Sequence, residues 1–361
     1  MHICAIEFIK CLHKEKNMTL CVIKENKSVK ILKSDDCNYI FRKSDGLMCS
    51  WGKTTNEDPE PSKVGPFILD MEISTICKKC CPFCYKGNTS NGTYMRFSDF
   101  KKIFDKLPKT LTQIALGIGD LNGNPDLYAI IEYCRDNEVV PNITINGEDL
   151  TDYHADNLVR LCGAVAVSHY NNDTCLNAVT KLRELGLDQV NIHKLLSEET
   201  MHECNSMIDD YHIDQRWKNV NAIVFLWLKP IGPRNDFKPV SRNAYKYLVN
   251  RLLINNIPFG FDSCTAPMFL EAIYITDNYE KMKTLVEPCE SSLFSYYVNV
   301  NGVGFPCSFT ENYEDFTGID VLNCKDFIKD VWRHHETEAF RKKCVSSTNF
   351  LNCRKCQAFN L

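Results

Sequence analysis

From Pro66 onward six strand-like runs alternate with helix-like segments, and no other feature limits the fold of this chain so severely. The runs are "FILDMEIS", "QIALGIG", "PNITING", "GAVAVSHY", "QVNIHKLL" and "NAIVFLWLKPIG". After the first comes "SDFKKIFDKL", with Ser98 as the expected N-cap and Phe100, Phe104 and Leu107 on one face. "LYAIIEYC", "YHADNLVRLC", "CLNAVTKLRELG", "MHECNSMIDDY" and "AYKYLVNRLLI" follow the others. Six βα units in a row imply parallel strands with right-handed crossovers. Six is too few for a closed eight-stranded barrel, which leaves a partial barrel or an open doubly wound sheet. Either one puts its chemistry at the C-terminal ends of the strands.

The flanking regions differ in kind. Residues 1–65 read as a strand-rich preface, with turn signals at Glu25–Lys27 and Ser44–Gly46 and a polar, Pro-rich linker "TTNEDPEPSKVGP". Residues 66–257 hold the alternation. Residues 258–361 are loop-rich and carry seven cysteines: Cys264, Cys289, Cys307, Cys324, Cys344, Cys353 and Cys356. The chain has 44% hydrophobic residues and a net charge of −4, so no basic field points to nucleic acid. No apolar run reaches the roughly 18 residues of a membrane span. The start, "MHICAIEFIKCLHKEK", lacks the features of a secretory signal, so a cytoplasmic location is expected. In a reducing compartment, twenty cysteines point to metal or cluster ligation rather than disulfides.

Four cysteines fall together in "CKKCCPFC": Cys77, Cys80, Cys81 and Cys84. Two CxxC pairs would suit zinc, but nothing separates Cys80 from Cys81. Adjacent residues do not easily turn toward one tetrahedral ion, so zinc is disfavoured. The other reading is CxxxCxxC, in which Cys77, Cys81 and Cys84 hold three irons of a [4Fe–4S] cluster and leave the fourth open.

At these residues the chain resembles the radical S-adenosylmethionine (radical SAM) enzymes. Their CxxxCxxC follows the first strand of a partial (βα)6 barrel, and an aromatic residue, here Phe83, precedes the last cysteine. Their GGEP-like motif, which holds the amino group of SAM, matches "GIGDLNGNPDL" with Ile118, Gly119 and Asp120 in the Gly-Gly-Glu places. "TING" resembles the turn after their third strand and contributes Asn146. Ser168, in "VAVSHY", matches a serine that helps bind the ribose or methionine end, although Tyr170 stands where an acid is common. Cys80 is then the spare cysteine.

The tail resembles the SPASM/twitch extension of the same enzymes, with Cys289, Gly302 and Cys307 in the pattern C-x12-G-x4-C and Cys353 and Cys356 as a later pair. "VNVNGVGFPC" reads as a hairpin turned at Asn301-Gly302. The resemblance implies one auxiliary [4Fe–4S] cluster on Cys289, Cys307, Cys353 and Cys356, with Cys344 as an alternative ligand. From spacing alone, a zinc ribbon on the same four remains the other reading. Cys264 has no match and is a candidate hydrogen-atom donor near the active site.

The resemblance further implies that reductive cleavage of SAM gives a 5′-deoxyadenosyl radical, which abstracts a hydrogen from substrate. A flavodoxin or ferredoxin would supply the electron. A ribosomally made peptide or protein is the leading substrate class. A nucleotide or other small molecule is the second reading, and a non-catalytic zinc-binding interaction protein the third. Residues 1–65 either pair with an extended peptide or cover the barrel.

Overall fold

The computed structural model describes residues 7–10, 22–313, 316–346 and 356; Cys353 and most of the opening stretch, residues 1–6 and 11–21, lie outside the described residues. Two sheets make up the framework. The first is an antiparallel meander of β1 (Glu7–Lys10), β2 (Val22–Glu25), β3 (Val29–Lys33), β4 (Asn38–Arg42) and β5 (Met48–Trp51), paired in chain order.

The second sheet contains the alternation. Its elements are β6 (Ile68–Glu72), α1 (Phe97–Phe104), β7 (Gln113–Gly117), α2 (Leu127–Asp136), β8 (Val140–Ile145), α3 (Asp152–Leu161) and β9 (Ala164–Ser168). They continue through α4 (Asn172–Glu184), β10 (Val190–Leu196), α5 (Met201–Asp210), β11 (Ile223–Trp227) and α6 (Arg242–Ile254). All the strands from β6 to β11 pair in parallel with their sequence neighbours. Strand residues alternate in direction. Leu69 and Met71, Ile114 and Leu116, and Val165 and Val167 point outward into the helices. Asp70, Ala115, Thr144 and His193 occupy the opposite, inner face. On the helix side Phe100, Ile103 and Phe104 of α1 and Leu176, Val179 and Leu182 of α4 are buried. Each such side chain contributes roughly 1.5–3 kcal/mol.

Several helix starts follow from the sequence. Thr151, Asn171 and Ser241 cap α3, α4 and α6, accepting from the amides of His154, Thr174 and Ala244. Ser98 does not cap α1. The helix begins at Phe97 after Arg96, and the Phe97 amide donates instead to Asp126 Oδ2 at 2.8 Å. A carboxylate from the α2 side takes over the role of a local cap.

Beyond Pro258 the parallel pattern continues further than its sequence signal. A three-residue strand, β12 (Phe259–Phe261), pairs in parallel with β11. After α7 (Ala266–Ile273) and α8 (Tyr279–Met282), β13 (Ser295–Val298) pairs in parallel with β6, on the side away from β7. The hairpin to β14 (Val303–Phe305) turns through Asn301-Gly302 as expected, with Gly302 at φ +75°. β15 (Ile319–Asp320) then closes that edge, and α9 (His335–Ser346) follows. Strands β6 and β12 do not pair, so the barrel is partial.

The β1–β5 sheet lies under the barrel. Tyr39 donates to the Thr110 carbonyl at 2.7 Å and Lys30 to the Leu111 carbonyl at 2.7 Å, just before β7. Ile23, Leu32, Tyr39 and Phe41 form one core with Phe67, Val140, Leu293, Phe294, Phe340 and Cys344. Phe67, Val140 and Phe294 stand at the N-terminal ends of β6, β8 and β13.

Candidate active site

At the other end of the strands a cavity of about 560 Å³ opens between the barrel and the segments after β12. Its wall collects residues from remote parts of the chain. Cys77, Cys81, Phe83 and Cys84 come from the loop after β6, and Ile118 and Gly119 from the loop after β7. Asn146 and Ser168 stand at the ends of β8 and β9. Cys264, Cys289, Cys307 and Cys356 face them from the C-terminal part. Every expected site residue among those described lines this wall except Asp120 and the alternative ligand Cys344.

Asp120 lies just behind the wall, and its carboxylate braces the cysteine loop. The Lys78 amide donates to Oδ2 at 2.9 Å and Asn146 Nδ2 donates to Oδ1 at 3.0 Å. Gly119 completes this contact. A Cβ there would sit 2.4 Å from both Cys77 Cβ and the Ile76 carbonyl oxygen. Gly232 serves the opposite side of the loop: its φ is +117°, and a Cβ would come within 2.6 Å of the Cys84 carbonyl oxygen. Beside it Arg234 donates to the Gly87 and Asn88 carbonyls at 3.2 and 3.0 Å.

Within the loop the four cysteines are not equivalent. Cys80 takes a left-handed φ of 46°, is exposed, and turns its thiol to the Cys77 carbonyl at 3.3 Å. Cys77, Cys81 and Cys84 face the cavity. Phe83 packs on Tyr170 and Phe237 at ring separations of 6.5 and 5.3 Å, and the Tyr170 hydroxyl lies 3.5 Å from Cys81 Sγ.

One tetrahedral zinc, with Zn–S near 2.3 Å, draws its thiolates to about 3.8 Å of one another. Among the described residues the only His, Cys, Asp or Glu trio with all ligand atoms within 4.8 Å is His334, His335 and Glu336, outside the cavity. No three of the described cavity cysteines lie that close together. Burial pushes the Cys77 and Cys81 thiols up, and pushes Cys307 up to about 12. Such thiols ionise readily only against a positive centre, which a metal cluster provides.

On the C-terminal side Cys264 is not isolated. Its thiol hydrogen-bonds to Cys356, and this contact with burial holds it well above its ordinary pKa. It stands in the group formed by Cys289, Cys307 and Cys356. Cys344 is buried on α9 in the core shared with the β1–β5 sheet and does not line the cavity. Lys229, buried in the wall, pairs with Asp262 and lies 5.0 Å from the Phe309 ring centre. A second charged group links the two cysteine regions. Lys86 contacts Glu311, Glu72 at 3.3 Å and the Tyr297 hydroxyl at 2.7 Å.

Asp70, His193 and Lys229 are among the wall residues that carried no sequence signal. Asp70 and His193 point inward from mid-strand, and Lys229 follows β11. Burial raises Asp70 to about 6 and lowers His193 to about 4. Only the period-two alternation marks the first two, and it gives a face rather than a role.

Fold and site together define an α/β partial barrel whose strand ends gather two sets of cysteines around one cavity. The same fold occurs in SuiB from Streptococcus suis bound to the precursor peptide SuiA, at TM-score 0.64 and 13% identity over 80% of this chain and 70% of that one. It also occurs in SuiB bound to S-adenosylmethionine, at TM-score 0.62 and 14% identity over 80% and 71%. A third likeness is anSMEcpe with bound AdoMet and Cp18Cys peptide, at TM-score 0.55 and 13% identity over 79% and 88%. At such identities the likeness shows the fold. Neither a family model nor a curated protein sequence matches the chain.

Proposed function

We propose that this chain is a radical SAM enzyme that modifies a ribosomally made peptide or protein. The observation that supports the reading is the shared cavity: Cys77, Cys81 and Cys84, Ile118 and Gly119 of the "GIGD" loop, Asn146, Ser168 and, from the tail, Cys264, Cys289, Cys307 and Cys356 all line it. Solved structures of this fold hold S-adenosylmethionine and peptides, which supports the same ligand classes here. Cys77, Cys81 and Cys84 would hold the SAM-binding [4Fe–4S] cluster. Cys289, Cys307 and Cys356, with Cys353 or Cys264, would hold an auxiliary one. When bound, the first cluster and SAM supply a 5′-deoxyadenosyl radical after one-electron reduction by a flavodoxin or ferredoxin.

The chain's own residues position and enclose. Asp120 and Asn146 fix the cysteine loop against the "GIGD" turn. Gly119 and Ile118 offer SAM a bare backbone edge, and Ser168 offers a hydroxyl. Phe83, Tyr170 and Phe309 limit water around the reacting atoms. In this reading residues 66–257 form the SAM-binding barrel, residues 258–361 the auxiliary-cluster region, and residues 1–65 a base.

Anaerobic reconstitution should give about eight irons per chain. The reduced protein should form 5′-deoxyadenosine from SAM, and Cys81→Ala should abolish this while Cys80→Ala leaves it intact. Colourless protein with stoichiometric zinc and no SAM cleavage would end the proposal.

A further inference from the structure

Asp70 is the cavity's unmatched acid. It lies mid-strand on β6, between Ala115 of β7 and Tyr297 of β13. Its carboxylate is exposed into the cavity, yet it has lost enough bulk solvent for its pKa to rise to about 6. Among the described residues no hydrogen bond or ion pair reaches it, and no cation shifts its titration. The groups facing it add no positive charge. Tyr297 is engaged by Lys86 and Glu311, Tyr85 hydrogen-bonds to Ser308, and Glu72 on the same strand is paired with Lys86. Across the barrel, burial keeps His193 neutral. The two nearby lysines are already matched, Lys86 by Glu72 and Glu311 and Lys229 by Asp262.

A carboxylate ionised at neutral pH in such a place is costly without a partner. The cavity wall mixes apolar side chains, among them Ile68, Leu195, Leu226, Phe309 and Phe340, with polar ones, and its lysine, Lys229, is already paired with Asp262. We propose that Asp70 selects the substrate by receiving a cationic side chain, an ammonium or guanidinium, of the peptide. SAM also carries a cation, but Asp70 stands two residues below the level of Gly117 on the neighbouring strand. That is about 6–7 Å deeper than the loop assigned to SAM. The inference rests on the proposed peptide substrate and names the side chain that the cavity accepts.

The test uses the reconstituted full-length protein, immobilised under anaerobic conditions, and a random hexapeptide library as probe. Lysine or arginine should be enriched among retained peptides on the wild type. Asp70→Asn should reduce that enrichment by about tenfold or more, and Asp70→Glu should keep most of it. Equal enrichment on wild type and Asp70→Asn, or no cationic enrichment at all, overturns the inference. A parallel titration with SAM separates the two sources of cation. If Asp70→Asn weakens SAM tenfold and leaves the peptide profile unchanged, Asp70 belongs to SAM and the inference falls. SAM cleavage by the wild type, measured separately, reports on the enzyme reading alone.

Discussion

At the residue scale the site depends on how closely two loops approach. Gly119 has ordinary backbone geometry, so its requirement is steric rather than conformational. Gly119→Ala forces a methyl into the Cys77 Cβ and Ile76 carbonyl at 2.4 Å. Both contacts belong to main chain or its first carbon, so neither can swing away. We expect a stability loss of roughly 1–3 kcal/mol in urea unfolding, together with less iron bound after reconstitution because the cysteine loop shifts. Unchanged stability and iron would show that the loops are not locked together. The cysteines were legible in the sequence because CxxxCxxC and C-x12-G-x4-C are spacings that can be read along the chain. Asp70 was not, since nothing local distinguishes an inward acid in "FILDMEIS" from an outward, solvated one. Asp120 was legible as the acid of its loop, but its bonds to the Lys78 amide and Asn146 join segments 42 and 26 residues apart.

At the element scale, the six units from β6 to α6 were readable because each repeats a period-two strand and a 3.6-residue helix. Strand β12 escaped because three residues after Pro258 carry no period. The parallel pairing of β13 with β6 escaped because it joins segments more than 220 residues apart. That junction is also where buried charge concentrates. Lys86, from the cysteine loop, joins Glu72 at the end of β6 to Glu311 beyond β14. Burial already raises the Glu72 pKa, and Lys86 opposes the rise. Lys86→Met leaves two acids facing each other and should cost roughly 3–5 kcal/mol at pH 7.5. The sign with pH follows. Removing Lys86 raises the folded pKa of Glu72 further above its unfolded value of 4.5. Ionising it then costs folded stability as pH rises through that window, and the deficit shrinks as pH falls toward 5. Urea midpoints at pH 5 and 7.5 measure this, and adding Glu72→Gln should recover much of the loss. A deficit independent of pH would mean that Lys86 acts through packing.

At the scale of the whole molecule, the cysteine loops and the β1–β5 sheet occupy opposite ends of the barrel. The cysteine loops stand at the C-terminal ends of the strands, and the β1–β5 sheet closes the N-terminal ends through Tyr39, Lys30 and the core around Phe41. For the described residues 22–65 this arrangement favours covering the barrel over pairing with an extended peptide at the cavity. Phe41 is fully buried between the sheet and the barrel base. Phe41→Ala should therefore lower stability by roughly 3–5 kcal/mol. At a temperature where the variant stays folded, SAM cleavage per iron-loaded chain should equal that of the wild type, because the cavity wall contains no residue of this sheet. Paired urea unfolding and 5′-deoxyadenosine assays decide the matter. A variant that unfolds no earlier, or one that stays folded with intact clusters yet loses cleavage, would show that the base does more than support.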